Sequence, residues 1–420
     1  MVWAVDLISI LLFLCSAATP VNTATCSWCE AIGEGDATCD NTYTEFTEDL
    51  FPLSVSEDLD GRAFPYFHPS SQTPFDVQQG ANEQVTSVVI VQHGDGRNGK
   101  DYCQYVTNAI LKGGGSLETT LVIGMQIYEV GDNALNTSSM LWWDANTEGQ
   151  PEVGGGERDW KWGGNSSSEL PVSISSFSVL DEMLILFGNR SHYPKLGRIV
   201  LAGHSSGGQF VQRYALFSLV GAGGAQSISI SASIRVSYYV ANPSSMTYLG
   251  PERPLMDNTL LHGRDCEFCQ NTTLTSQVWH FATPVATSST ALSCLNSYNN
   301  YGYGLEGPLP DYLTHVGVDA AIAQYAQRDV VYTSGESDIC DLEYMTDNNC
   351  TECTANDGGL DTSCEAYSQG WCRMSRLHAY AQYVNRFVYK RPVHSLLSVP
   401  NVGHSGCGIF QSAQFIACIL

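Results

Sequence analysis

The most constraining stretch of the chain is residues 198–219. There the apolar run RIVLA meets Gly203-His204-Ser205-Ser206-Gly207-Gly208, and a helical pattern follows from Gln209. A strand that ends in G-x-S-x-G and turns at once into a helix leaves its central serine little freedom. Small neighbours let strand and helix approach, the hydroxyl stands above the sheet, and the helix N-terminus faces it. Such a turn needs a sheet buried on both faces, and other runs supply one. Residues 85–92 (VTSVVIVQ) and 119–127 (TTLVIGMQI) are short and rich in β-branched residues, as doubly covered strands are. Residues 235–240 (RVSYYV), 329–333 (DVVYT) and 395–399 (SLLSV) are three more candidate strands. A helical stretch at about 100–111 separates the first two runs. Ile174, Phe177, Leu180, Met183, Leu184 and Phe187 recur at helical spacing within residues 172–187. Alternation of this kind predicts βαβ units, hence an α/β fold with a mainly parallel central sheet flanked by helices.

Three stretches interrupt the rhythm. Residues 129–170 are rich in Gly and Trp, including Trp142, Trp143, Trp160 and Trp162, and residues 251–315 and 339–370 hold several cysteines. Long loops between core elements are commonly lids or binding loops. We therefore read one elaborated domain over residues 85–420 with Cys-rich insertions, preceded by a Cys-containing segment at 19–84 that adds edge strands or a disulfide-tied flap. No internal repeat or low-complexity tract is present.

The first residues read as an export signal, an apolar run at 7–18 (LISILLFLCSAA) that ends in small residues and is too short to span a bilayer. Ser16-Ala17-Ala18 offers a cleavage site after residue 18, and Asn22-Thr23-Ala24 a later one after 24. The competing reading is a buried N-terminal helix. No later stretch has the length and apolarity of a membrane span. Removing Cys15 from the 15 cysteines leaves an even set, which with export favours disulfides. Three pairs have C-x-x-C spacing (Cys26/Cys29, Cys266/Cys269, Cys350/Cys353). An oxidising compartment and acidic or aromatic surroundings argue against zinc at these positions. Sequons at Asn136, Asn165, Asn189, Asn271 and Asn349 fit a secreted glycoprotein. The formal net charge of −24 argues against nucleic acid, which needs a basic face. Neither a metal nor an organic cofactor is called for.

A serine hydroxyl is a weak nucleophile without a base. After a G-x-S-x-G elbow the partners follow in the order Ser, acid, His. His404, in Val402-Gly403-His404-Ser405-Gly406 directly after the last strand, is the expected base. His262, His280 and His315 lie in the insertion, His378 on a helix, and His394 opens the strand. The acid should follow the strand at 329–333. Asp338 suits an imidazole partner, with Glu336 as the alternative. An oxyanion hole needs two backbone N–H groups. One belongs to Ser206. The other comes from the turn after the first core strand, His93-Gly94-Asp95, and is that of Gly94 or Asp95, with His93 orienting the loop. Asn242 or Ser244 either lines the pocket or shapes the turn after its strand. Trp142 and Trp162 belong either to an apolar rim over the serine or to a packed flap.

This constellation resembles the α/β-hydrolase superfamily across roughly residues 85–415. More narrowly it is similar to a little-characterised group of microbial hydrolases. The shared segments are GHSSGGQFVQRYA at 203–215, ANPSSMTYL at 241–249, YGLEG at 303–307 and VGHSGCGIF at 402–410. The superfamily resemblance implies the α/β-hydrolase fold and a Ser205–Asp338–His404 triad. The expected activity is carboxylic-ester hydrolysis through an acyl-enzyme, on a small-molecule or polymer ester. An amidase or peptidase would use the same triad. A silent binding protein on this scaffold, or a disulfide-rich structural protein, would have no need of both oxyanion loops and all three partners.

Overall fold

Residues 39–75, 81–144, 159–222, 227–255, 278–285, 294–339, 360–361, 363–370 and 372–420 are described by the computed structural model. The expected export signal, the three C-x-x-C pairs, His262 and the sequons at Asn271 and Asn349 lie outside the described residues.

Eight strands form the main sheet: β1 Phe46–Phe51, β2 Phe64–Pro69, β3 Ser87–Gln92, β4 Thr120–Met125, β5 Arg198–His204, β6 Arg235–Ala241, β7 Asp329–Gly335 and β8 Ser395–Val399. Their order is β1-β2-β4-β3-β5-β6-β7-β8. β2 pairs antiparallel with both β1 and β4, and every other neighbour is parallel. The first two strands of the sheet, from residue 46 to residue 69, lie in the segment 19–84 that precedes the first core strand.

The parallel strands are apolar throughout because both faces are covered. Along β3, Val88 and Ile90 join the core on one face, and Val89 and Val91 the core on the other. α1 (Gly99–Lys112) covers the second face with two C-terminal helices, α6 (Gly406–Phe410) and α7 (Ala413–Ile419). The first face packs on α2 (Ser176–Gly188), α3 (Ser206–Phe217), α4 (Val318–Tyr325) and α5 (Arg373–Gln382). This strand order with helices on both faces is the α/β-hydrolase fold. No helix among the described residues is long and apolar enough to cross a membrane.

Irregular backbone after β6 and around residue 300 is held by buried arginines. Arg253 donates to the carbonyls of Gly250, Glu252, Tyr298 and Tyr303, and Arg213 to that of Gly302. Loop carbonyls hidden from water need donors, and a guanidinium brings five in a fixed fork. Two disulfides between described residues add cross-links. Cys294 bonds Cys364, and Cys39 bonds Cys407 on α6. Beside the second, Asp40 and Gln411 exchange two hydrogen bonds of 2.5 and 2.6 Å. Cys103, inside α1, is a buried free thiol, and burial pushes its ionisation up. Asn136 and Asn189 are exposed, and Asn165 is half-buried.

Candidate active site

The parallel strands bring five loops to one edge of the sheet, at their carboxyl ends, where ligands of open α/β sheets bind. These loops follow β3 (His93 onward), β5 (Ser205), β6 (Asn242), β7 (Glu336 to Asp338) and β8 (to His404).

The nucleophile elbow is built by exclusion of side chains. A Cβ on Gly203 would lie 2.1 Å from the Gly207 carbonyl oxygen, and one on Gly207 would lie 2.4 Å from that of Gln92. Ser205 adopts φ 59°, ψ −123°, and its N–H bonds the Ala241 carbonyl at 3.0 Å. Ser206 opens α3, so its N–H is among those with no partner inside the helix.

His404 Nε2 lies 3.0 Å from Ser205 Oγ, and its Nδ1 lies 2.9 Å from Asp338 Oδ2. Asp338 is fully buried. Its other oxygen, Oδ1, faces the Arg373 guanidinium at 3.6 Å. Burial works to raise this carboxyl, but His404 and Arg373 prevail and hold it below its ordinary value. Glu336, the alternative acid, is exposed. The structure thus brings Ser205, His404 and Asp338 into one hydrogen-bonded chain and leaves Glu336 outside it. His378 and His394 are also elsewhere, hydrogen-bonded to Ser334 Oγ and to Tyr332 Oη and the Tyr325 carbonyl. Burial lowers both to about 4.

The turn after β3 rests directly on the nucleophile. A Cβ on Gly94 would meet Ser205 Cβ at 3.3 Å and the Tyr102 hydroxyl at 3.0 Å. His93 is committed at both nitrogens, since Nε2 accepts from the Ile127 N–H at 3.0 Å and Nδ1 donates to the Gly94 carbonyl at 2.7 Å. Burial lowers it to about 4, so it is neutral and orients the turn. Gly94 and Asp95, the two expected donors, sit side by side in this turn, Gly94 buried against the nucleophile and Asp95 exposed. Arg97 clamps the far end of the turn, donating to both carboxylate oxygens of Asp132 and to the Asp95 carbonyl.

Asn242 is fully buried with φ 43°, a conformation that Asn tolerates. Its Oδ1 accepts from the Gly335 N–H at 2.9 Å, and its Nδ2 donates to the Gly403 carbonyl at 3.2 Å. It ties the loop of Asp338 to the loop of His404, and its side chain shapes those turns. Ser244 is buried too, with Arg373 Nε donating to its hydroxyl at 3.2 Å. Trp142 and Trp162 are only 3% and 7% exposed. Trp142 packs under the Arg62 guanidinium, and Trp162 packs on Arg213 and edge-on to Tyr301 and Tyr303. Both belong to a packed flap, not to an open rim.

Three neighbours escaped the sequence reading. Tyr102 on α1 bonds His204 Nδ1 at 3.0 Å, and the His204 ring lies over that of His404 with centroids 4.6 Å apart. Burial, His404 and Arg373 drive His204 well below its ordinary value, so it sits neutral behind the base. Tyr102 and Arg373 carry no motif. Only His204, inside the elbow, stood at a position that pattern alone marks.

No family model and no curated protein sequence matches the chain. Among solved structures it is similar to a poly(3-hydroxybutyrate) depolymerase from Bordetella parapertussis, at 18% identity over 87% of each chain with a TM-score of 0.46. It is also similar to a poly(aspartic acid) hydrolase from Sphingomonas sp. KT-1, at 17% identity over 88% of this chain and 97% of that one, TM-score 0.46. A siderophore hydrolase from Aspergillus nidulans matches at 10% identity over 89% and 94%, TM-score 0.38.

Proposed function

We propose that the chain is a secreted serine hydrolase that cleaves carboxylic esters through an acyl-enzyme on Ser205. The observation that carries the reading is the unbroken hydrogen-bonded chain from Ser205 Oγ through His404 to a buried, ionised Asp338. His404 takes the Ser205 proton at Nε2 while Oγ bonds the substrate carbonyl carbon. The Ser206 N–H, together with that of Gly94 or Asp95, stabilises the oxygen that gains negative charge. His404 then returns the proton to the departing alkoxide, leaving the acyl group on Ser205. Water repeats the sequence, giving its proton to His404 and its oxygen to the acid product. Asp338 keeps Nδ1–H directed toward itself, which leaves the Nε2 lone pair for the serine. Export, cleavage near residue 18 or 24 and glycosylation form part of the same proposal, supported by the sequence features and the two disulfides.

The test is covalent labelling by a fluorophosphonate, together with turnover of p-nitrophenyl esters of increasing acyl length. Stoichiometric labelling on Ser205 with ester turnover is the expected result. A folded protein that neither labels nor turns over any ester would overturn the reading.

A further inference from the structure

We propose that Arg373 is a positioning residue for the reaction, its buried guanidinium keeping the Asp338 carboxylate aimed at His404 while moderating the negative charge that the imidazole feels. The inference rests on the triad reading above. Arg373 opens α5, remote in sequence from both residues it serves. It is fully buried, as is Asp338, and the two meet at 3.6 Å on the side of the carboxylate away from His404. Arg373 is itself fixed. Its Nε donates to Ser244 Oγ at 3.2 Å, and Arg376 one turn on donates to the Ser244 and Gly370 carbonyls. The same helix start bonds the acid loop directly, the Met374 N–H donating to the Asp338 carbonyl at 3.2 Å.

The charged and titratable groups around His404 come from several elements. Asp338 comes from the β7 loop, neutral His204 from the elbow with Tyr102 of α1 behind it, and Arg373 and Arg376 from α5. Glu336 and Asp95 face solvent on neighbouring loops. Among the described residues, Arg373 is therefore the fixed cation in direct ion-pair contact with the acid. Without it, a buried carboxylate would face the imidazole alone and hold its proton more tightly. Alternatively the carboxyl would take up a proton itself and stop orienting Nδ1. Both consequences push the acid limb of the pH–rate profile to higher pH. A residue that only fills space would lower stability or turnover without moving that limb.

The experiment compares the full-length wild type with Arg373→Met, Arg373→Gln and Arg373→Lys. The readouts are thermal unfolding, fluorophosphonate labelling and the pH profile of kcat/KM on p-nitrophenyl acetate. The neutral variants should shift the acid limb upward by roughly one pH unit. Arg373→Lys, which keeps the charge, should stay close to wild type even where kcat falls. A folded neutral variant with an unmoved limb overturns the proposal, as does a lysine variant that shifts as far as the neutral ones. Failure of both neutral variants to fold assigns Arg373 to folding and overturns it as well. Absence of labelling and turnover in the wild type refutes the triad reading instead.

Discussion

At Ser205 the chain holds φ 59° and ψ −123°, a region that costs a residue with a Cβ about 1–3 kcal/mol. The surrounding glycines and the bond to the Ala241 carbonyl maintain it. Strain held in place this way aims one hydroxyl, so Ser205→Ala should abolish fluorophosphonate labelling. Ser206→Ala keeps its backbone N–H and should leave labelling largely intact; the reverse result would put the elbow one residue out of register. The carboxylates beyond β7 give a second comparison. Asp338→Asn offers His404 the wrong donor pattern and should lose on the order of 10⁴ in turnover. Glu336→Gln, at an exposed side chain, should cost little. Steady-state kinetics of the two variants decides, and a larger loss at Glu336 would reassign the acid. His404 and Arg373 hold the Asp338 carboxyl below its ordinary value against the opposing effect of burial. Ser205 and His404 were legible from an elbow motif and from chain order. The sequence already preferred Asp338 to Glu336 for its place past the strand tip; which of two carboxylates two residues apart is turned inward is a matter of tertiary structure.

Between elements, single polar groups connect what the strands only place side by side. Asp181 on α2 accepts from Tyr214 on α3 at 2.6 Å and from Tyr312 at 2.7 Å, while burial raises its carboxyl to about 7. A folded value above the unfolded one favours the protonated form. Its stabilising contribution is complete at low pH and is lost as pH rises through about 7. Asp181→Asn cannot ionise, so it should flatten the decline in melting temperature between about pH 4 and pH 7, with a difference of no more than about 4 kcal/mol. An equally steep decline in the variant would show that another group titrates there. The strands themselves were read from their apolar runs with ends shifted by a few residues, because doubly buried strands announce themselves locally. β1 and β2 were anticipated only as edge strands somewhere in residues 26–84. Their burial patterns and their antiparallel pairing depend on partners far along the chain.

Over the whole molecule, the Cys39–Cys407 bond joins positions 368 residues apart and fastens the segment before β1 to the helix that follows His404. Closing so long a loop restricts the unfolded chain, by about 6 kcal/mol in the loop-entropy model. Cys39→Ser with Cys407→Ser should lower the melting temperature markedly, and unchanged thermal unfolding would mean that the bond does not staple these ends. Cys103 predicts a thiol that reacts with Ellman's reagent only after denaturation, since it is buried within α1. The sequence by itself determined the alternation of strands and helices, the serine at the elbow and the histidine after the last strand. Each of these rests on residues adjacent in the chain, whose backbone geometry and periodicity are local properties. Only the tertiary structure decided that Asn242 braces the acid and base loops, that Trp142 and Trp162 are packed, and that Tyr102 and Arg373 stand behind the imidazole and the carboxylate. Those roles come from hydrogen bonds and charges acting across a few ångströms of buried space, between residues that the sequence keeps tens to hundreds of positions apart.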